Sequence, residues 1–505
     1  MSPISSGFLL LVILTLPLYY LLPPKYGPTV LLAASYIFYI SAGAAFLPFI
    51  LFSTASTYVT ARLILRCRGG DRGKDMQVRR RALPPLVSGV ILNIGSLVCL
   101  KLSIPSTRLT AFLTGDGGSL IMPTGISFYT LQAVGYLIDV YRGRIVAEPS
   151  LFRVALFLGY FPQLTVGPIS RYSSLEPQLF SRKDASWEEI CPGVLRALWG
   201  CFKKVVVADA LISPVRALVD SGRGGGYTAL LALIYSVRIY ADFTGGADIA
   251  LGVSRLFGIR LAENFDRPFS SASARDFWHR WHITLGAWFT DYVFYPISVS
   301  RAMRRMTRAV RRRLGRGAAL RAPVYIATVA TWTLTGLWHG FGANFVVWGL
   351  LNAAVILVSR ELQPIYSAFN SRLPKFTSSR PWQIILRAQT FLIIALVRLL
   401  DLYGSVPQAL RLIISLPFDI SAWKTLLSGG LSPIGLDIPT VAVVSFGVAA
   451  MTLVSCAHRE DDIFEKTARS PLAASAIAVA MIFTTLVLGS YGMGYDAGEF
   501  IYAQF

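Results

Sequence analysis

The chain has 505 residues, of which 15% are charged and 54% hydrophobic, with a formal net charge of +21 and a mean hydropathy of +0.55. Soluble globular chains carry about 25% charged residues, so this composition excludes a water-soluble enzyme and defines an integral membrane protein. The positive balance does not describe a nucleic-acid binder, because the arginines cluster in short loops beside apolar runs, where membrane topology alone accounts for them.

The first apolar run, Gly7 to Leu22, follows a leader without Lys or Arg and reads as a span rather than a cleaved signal. Runs at Thr29 to Ser41 and Ala45 to Leu65 lead into a loop carrying Arg66, Arg68, Arg72, Lys74, Arg79, Arg80 and Arg81. Loops this basic stay on the cytoplasmic side, which sets the N-terminus outside. Leu86 to Leu102 carries the chain back out, and Thr107 to Ser119, with four residues GDGG, reads as a turn-rich connection. Counted by length, the apolar runs give about 11 spans, the shorter ones being re-entrant or interfacial.

Met122 to Gly143 places Thr124, Ser127, Tyr129, Thr130, Gln132 and Asp139 inside an apolar run. Polar groups at membrane depth face a bundle interior or a wet cavity, so Ser127 and Gln132 are candidate substrate-lining residues. Leu156 to Tyr172 is interrupted by Pro162, Gly167 and Pro168 and reads as a broken or re-entrant helix. Lys203 and Lys204 border an apolar stretch, where they either snorkel to the interface or meet phosphates. Tyr240 to Phe269 carries Asp242, Asp248, Glu263, Asp266, Arg255, Arg260 and Arg267, a mixture of signs expected to form buried ion pairs rather than catalytic carboxylates.

Asp276 to Pro296, DFWHRWHITLGAWFTDYVFYP, is the densest aromatic stretch. As one helix it gathers Trp278, Trp281, His282, Leu285, Trp288, Phe289 and Tyr292 on a single face. Arg301 to Arg321 sets Met303, Met306, Val310 and Leu314 against nine arginines, the pattern of a helix lying on an anionic leaflet. Then TGLWHGFGANFVVWG, Thr335 to Gly349, puts His339 among three glycines between apolar runs. Two readings fit His339: a neutral imidazole acting as general base, or a structural histidine bonded to a carbonyl at a helix junction. His282 is either a second functional histidine or part of an interfacial anchor, His279 in the same stretch is a weaker candidate still, and His458 reads as a surface residue. The late region, Gly404 to Thr440, is proline-broken and reads as interfacial or extracytoplasmic.

The five cysteines form no CxxC pair, so neither a metal site nor a disulfide framework is indicated. Hydrolase and nucleotide-binding signatures are missing, and no internal repeat points to paired transporter halves.

DFWHRWHITLGAWFTDYVFYP and GLWHG, with MPTGISFYTLQAVGYLIDVYRG, FPQLTVGPISRY, FKKVVVAD and DFTGGADIALGVSRLFGIRLAENFDRPF, resemble the membrane-bound O-acyltransferase (MBOAT) family, over roughly Met122 to Asn352. Within it the alginate and exopolysaccharide O-acetyltransferase membrane subunits are most similar. The resemblance implies an all-α, multi-spanning bundle around a central tunnel, organised as one polytopic domain with scaffold spans at 1–120, a catalytic core at 121–360 and further spans at 361–505. It implies transfer of an acyl, chiefly acetyl, group from a cytoplasmic thioester to a hydroxyl of an extracytoplasmic polysaccharide or partner protein. Acetyl-CoA would be a co-substrate and no cofactor would be resident.

On this reading His339 and His282 are catalytic, Trp338, Trp281, Asn344, Ser127 and Gln132 line the substrate, and Lys203 and Lys204 meet donor phosphates. The expected setting is the cytoplasmic membrane. Two features differ from the pattern: Asn352 stands where many polysaccharide-acetylating relatives carry a histidine, and Leu396 to Leu410 departs from their Phe-Arg motif. The rival readings are D-alanyl transfer from a carrier-protein thioester and a proton-coupled transporter or flippase.

Overall fold

The structure is a computed structural model that describes residues 2–69, 76–103, 122–429, 431, 434–457 and 463–491. Arg72, Lys74, the connection at 107–119, Pro433 and His458 lie outside the described residues. The chain is helical: α1 (Ser6–Leu21), α2 (Gly27–Ser41), α3 (Leu47–Cys67), α4 (Met76–Ser103), α5 (Ile126–Arg142), α6 (Leu151–Gly159), α7 (Trp187–Phe202), α8 (Gly225–Leu256), α9 (Ala274–Arg280), α10 (Ile283–Phe289), α11 (Arg301–His339), α12 (Ala343–Glu361), α13 (Arg380–Leu402), α14 (Ile438–Ala457) and α15 (Pro471–Leu488), with short helices between. Six stretches among the described residues are long and apolar enough to cross a bilayer: Ala44–Cys67, Arg79–Leu102, Ala343–Glu361, Arg380–Leu402, Ile438–Cys456 and Pro471–Leu488.

Two compact units are distinguished, one of Met1–Val205, Asp242–Ala262 and Cys456–Phe505, the other of Val206–Ala241 and Glu263–Ser455. In the first, α5 is the interior helix: from Ile126 to Leu137 every side chain is buried, including Ser127, Thr130 and Gln132. An all-round buried helix needs no amphipathic stripe, which is why its polar and apolar residues do not segregate. The segment after α6 turns back as buried, non-helical chain, with the Phe161 amide donating to Ser35 Oγ at 3.1 Å and Gln163 Nε2 to the Phe157 carbonyl at 3.1 Å. Irregular backbone at membrane depth survives only with such internal partners.

The charged stretch after Tyr240 begins inside α8, which continues through Asp242 and Asp248 to Leu256. The carboxylates are tolerated because α7 and the wider turn that follows it, Lys203–Ala208, bring cations to them. Lys204 Nζ lies 2.7 Å from Asp242, and Asp248 takes Lys203 at 2.5 Å and Arg196 at 2.9 Å. Glycine makes that approach possible. A Cβ on Gly200 would sit 2.5 Å from the Gly245 carbonyl oxygen, and one on Gly252 2.5 Å from that of Gly193. Arg255 and Arg260 share Glu189 and Glu465 in the same way.

In the second unit, α11 is two helical stretches joined at Gly315, whose φ of 84° and ψ of 179° only glycine adopts freely. Its first stretch starts at Ser300, whose side chain accepts from the Met303 amide. Met303 is buried and Met306 and Val310 are half-buried while the arginines are exposed, as the pattern predicts, but Leu314 is 72% exposed and leaves the apolar face just before the break.

Close packing of α7 on α8 yields a test. Gly200→Ala or Gly252→Ala should destabilise by about 1–3 kcal/mol through overpacking, whereas Gly317→Ala, with nothing within 4 Å of its added methyl, should be neutral or mildly stabilising. Thermal unfolding of the three variants in detergent measures this; equal midpoints would refute the backbone contact.

Candidate active site

The aromatic stretch does not form the single helix its periodicity predicts. It breaks at Trp281 and His282, giving α9 and α10, and a wider π turn, Thr290–Phe294, follows. The cause is the segment before it. Phe265 pairs with Trp281 in an antiparallel bridge, the Asp266 amide donates to the Arg280 carbonyl at 3.0 Å, and the Ile283 amide to the Asn264 carbonyl at 2.9 Å. These bonds take partners from the helical ladder and hold His282 at φ 48°, a left-handed conformation uncommon for residues other than glycine.

Asn264, 1% exposed, fixes the histidine. Its Oδ1 accepts from the Thr284 amide at 3.1 Å and the Thr284 hydroxyl at 2.8 Å, which sets the amide orientation, and lies 3.2 Å from His282 Nδ1. A carbonyl oxygen only accepts, so Nδ1 carries the proton and Nε2 the lone pair. The ring is 3% exposed, and burial holds its pKa down to about 3, so it is neutral at physiological pH.

His339 ends α11, and the chain turns through Gly340 and Gly342 into α12. The two helices meet backbone to backbone: a Cβ on Gly336 would lie 2.3 Å from the Phe345 carbonyl oxygen, and one on Gly349 2.3 Å from that of Trp332. Trp338, Trp348 and Phe345 surround the imidazole at ring-centre distances of 4.9, 5.0 and 6.5 Å. The ring itself is half-buried. Trp338 also lies 6.3 Å from the His282 ring, so one indole touches both histidines.

Behind this wall, Asn352 is 2% exposed; its Oδ1 accepts from Trp278 Nε1 at 3.2 Å and its Nδ2 donates to the Trp348 carbonyl at 2.9 Å. Asn344, also buried, donates to the Leu400 carbonyl at 3.1 Å and ties the turn after His339 to the end of α13. From α13 the Arg398 guanidinium sits 4.0 Å over the Trp281 ring.

Of the expected site residues, His282, His339, Trp281, Trp338 and Asn344 come together in the second unit. Ser127 and Gln132 are buried in the first, as are Lys203 and Lys204, whose charges are matched by Asp248 and Asp242. His279 is exposed. Sequence reasoning missed Asn264, Trp348 and Arg398. Only Arg398 carried a signal, an arginine within an apolar span.

These features define a polytopic helical membrane protein with a paired-histidine site in an aromatic enclosure. Residues 142–400 match MBOAT, the membrane-bound O-acyltransferase family. A probable alginate O-acetylase of Azotobacter vinelandii is 33% identical over 71% of this chain and 68% of its own length. A peptidoglycan O-acetyltransferase of Helicobacter pylori is 30% identical over 51% of each chain. A teichoic acid D-alanyltransferase of Bacillus subtilis is 28% identical over 53% of this chain and 65% of its own. The chain belongs to the membrane-bound O-acyltransferase family and is a multi-pass membrane enzyme that transfers acyl groups to oxygen.

Neutral, buried His282 predicts a pH dependence of stability. Below its ordinary pKa of 6.5 the unfolded chain takes up a proton that the folded site refuses, so stability falls as pH drops from 6.5 toward 3. The slope approaches about 1.4 kcal/mol per pH unit. His282→Asn keeps an amide donor for Asn264 and a residue that tolerates left-handed backbone. Its acid stability curve should be flatter than wild type; superimposable curves would show that His282 is not held neutral.

Proposed function

We propose that the enzyme moves an acetyl group from cytoplasmic acetyl-CoA to a hydroxyl of an extracytoplasmic cell-envelope polysaccharide or partner protein, with His339 as general base. The observation that carries this reading is the placement of His339: at the end of a helix, in a glycine turn, half-buried among three aromatic rings, with a neutral histidine across Trp338. The acceptor hydroxyl gives its proton to the His339 imidazole as its oxygen attacks the thioester carbonyl. The tetrahedral intermediate then expels the thiolate, which takes the proton back, leaving an O-ester and a free thiol. His282 and the indoles of Trp338 and Trp281 position the reactants, and Asn344 holds the turn that carries the base. Lys203 and Lys204 have no part in this reading, since a phosphate would have to compete with Asp248 and Asp242.

The relatives named as O-acetylating enzymes favour acetyl over other acyl groups, and the alginate and peptidoglycan in those names favour an envelope glycan as acceptor. The basic loops support a cytoplasmic position for their side of the protein, with the N-terminus outside, in the cytoplasmic membrane of a bacterium. A second reading is D-alanyl transfer from an acidic carrier protein, favoured by the exposed arginines of α11 and by the D-alanyltransferase among the relatives.

Purified enzyme in liposomes with radiolabelled acetyl-CoA tests both. Wild type should release CoA and label an added glycan acceptor, and His339→Ala should lose about 10²- to 10⁴-fold in kcat, the usual share of a general base. Normal turnover by a folded His339→Ala protein would end the assignment. Inertness toward acetyl-CoA together with salt-sensitive capture of an acidic acyl carrier would transfer it to the second reading.

A further inference from the structure

Arg398 is the buried charge that the proposed chemistry does not use. It is 2% exposed within the span Arg380–Leu402. Its Nε is buried without a hydrogen-bond partner, and no carboxylate pairs with its guanidinium among the described residues. Asp401, three positions on in the same span, is not joined to it by a hydrogen bond or ion pair. The contact the side chain does make is with the face of Trp281, at 4.0 Å. An arginine stays charged at any biological pH, and an uncompensated buried charge costs several kcal/mol. Elsewhere the chain pairs such charges, as Lys204 with Asp242 and Arg196 with Asp248.

Its position adds the second half of the argument. Trp281 is followed directly by His282, and Asn344, two residues past Gly342, bonds the Leu400 carbonyl within one turn of Arg398. The guanidinium therefore lies over the indole that precedes His282 in the chain, on the helix end that Asn344 ties to the turn after His339, with its plane against that indole and its Nε unspent.

We propose that Arg398 is an anion subsite of the active site, receiving an oxyanion, phosphate or carboxylate, carried by one of the two substrates. Its location rests on the acyltransferase reading; the affinity for an anion does not. A phosphate would come from the thioester donor, and a carboxylate from an acidic sugar of the acceptor.

The test is equilibrium binding to the full chain in nanodiscs, with CoA as phosphate probe, a hexauronate as carboxylate probe and a neutral hexasaccharide as control. Wild type should bind at least one anionic probe, and whichever binds identifies the source. Arg398→Met, which keeps the stem over Trp281, should weaken that binding at least tenfold, Arg398→Lys should recover part of it, and the neutral probe should not respond. Because Arg398→Met removes an unpaired buried charge, its unfolding temperature should equal or exceed that of wild type. The proposal is overturned if neither anion binds wild type, if Arg398→Met binds within twofold of it, or if that variant unfolds at a lower temperature, which would mark Arg398 as a structural cation. Failure of acetyl transfer with Arg398-dependent binding intact would instead count against the proposed reaction alone.

Discussion

The side-chain carbonyl of Asn264 is the constraint on which the second unit's chemistry depends. One oxygen gathers the Thr284 amide, the Thr284 hydroxyl and His282 Nδ1, and the main chain on either side of Asn264 and Trp281 is paired. Together they keep His282 in a backbone conformation that costs about 1–3 kcal/mol. The strain has a definite product. A straight helix through Trp281 would point the imidazole along the aromatic face of its neighbours, whereas the break turns it toward Trp338, the indole that also touches His339.

Buried polar groups elsewhere follow the opposite logic. Where α7 crosses α8, glycines let the backbones touch so that two lysines and an arginine reach two aspartates. The second unit uses the same device at Gly336 and Gly349, but there the close approach serves to hold His339 within a wall of rings rather than to neutralise charge. Stability is served by the first arrangement and geometry by the second. A residue such as Arg398, buried without an ion-pair partner among the described residues, stands out against that economy because the chain elsewhere has shown how it treats a charge it only needs to hide.

Much of this was legible in the residues. The apolar runs, the basic loops and the position of His339 between two helices follow from hydropathy and glycine punctuation, which are local properties. The ion pairs of Asp242 and Asp248 were foreseeable as a class, since carboxylates in a membrane segment need cations, although their partners, Lys203, Lys204 and Arg196, lie on another helix that periodicity cannot locate. The break at His282 was not legible. Trp278 to Tyr292 has a sound helical period, and what overrides it is a non-local bridge to Phe265 and a side-chain acceptor eighteen positions upstream. The same limit hid Trp348, which reads as an ordinary aromatic in a span until the hairpin folds it onto His339.

The two histidines can be told apart by what burial does to each. A general base must accept a proton from its substrate near neutral pH, and its efficiency falls as its pKa drops far below that range. His282, 3% exposed and held at about 3 by burial, is a weak base whose Nδ1 proton is already committed to Asn264. His339 is half-buried, at the end of its helix. In the reaction proposed above, the proton transfer therefore falls to His339, and His282 acts through its lone pair and fixed orientation, as an acceptor that aligns a bound hydroxyl without removing its proton. Such a partner gains from rigidity more than from basicity, which is why its ring can be locked by a strained backbone and three shared hydrogen bonds while the base keeps the freer position at the helix terminus.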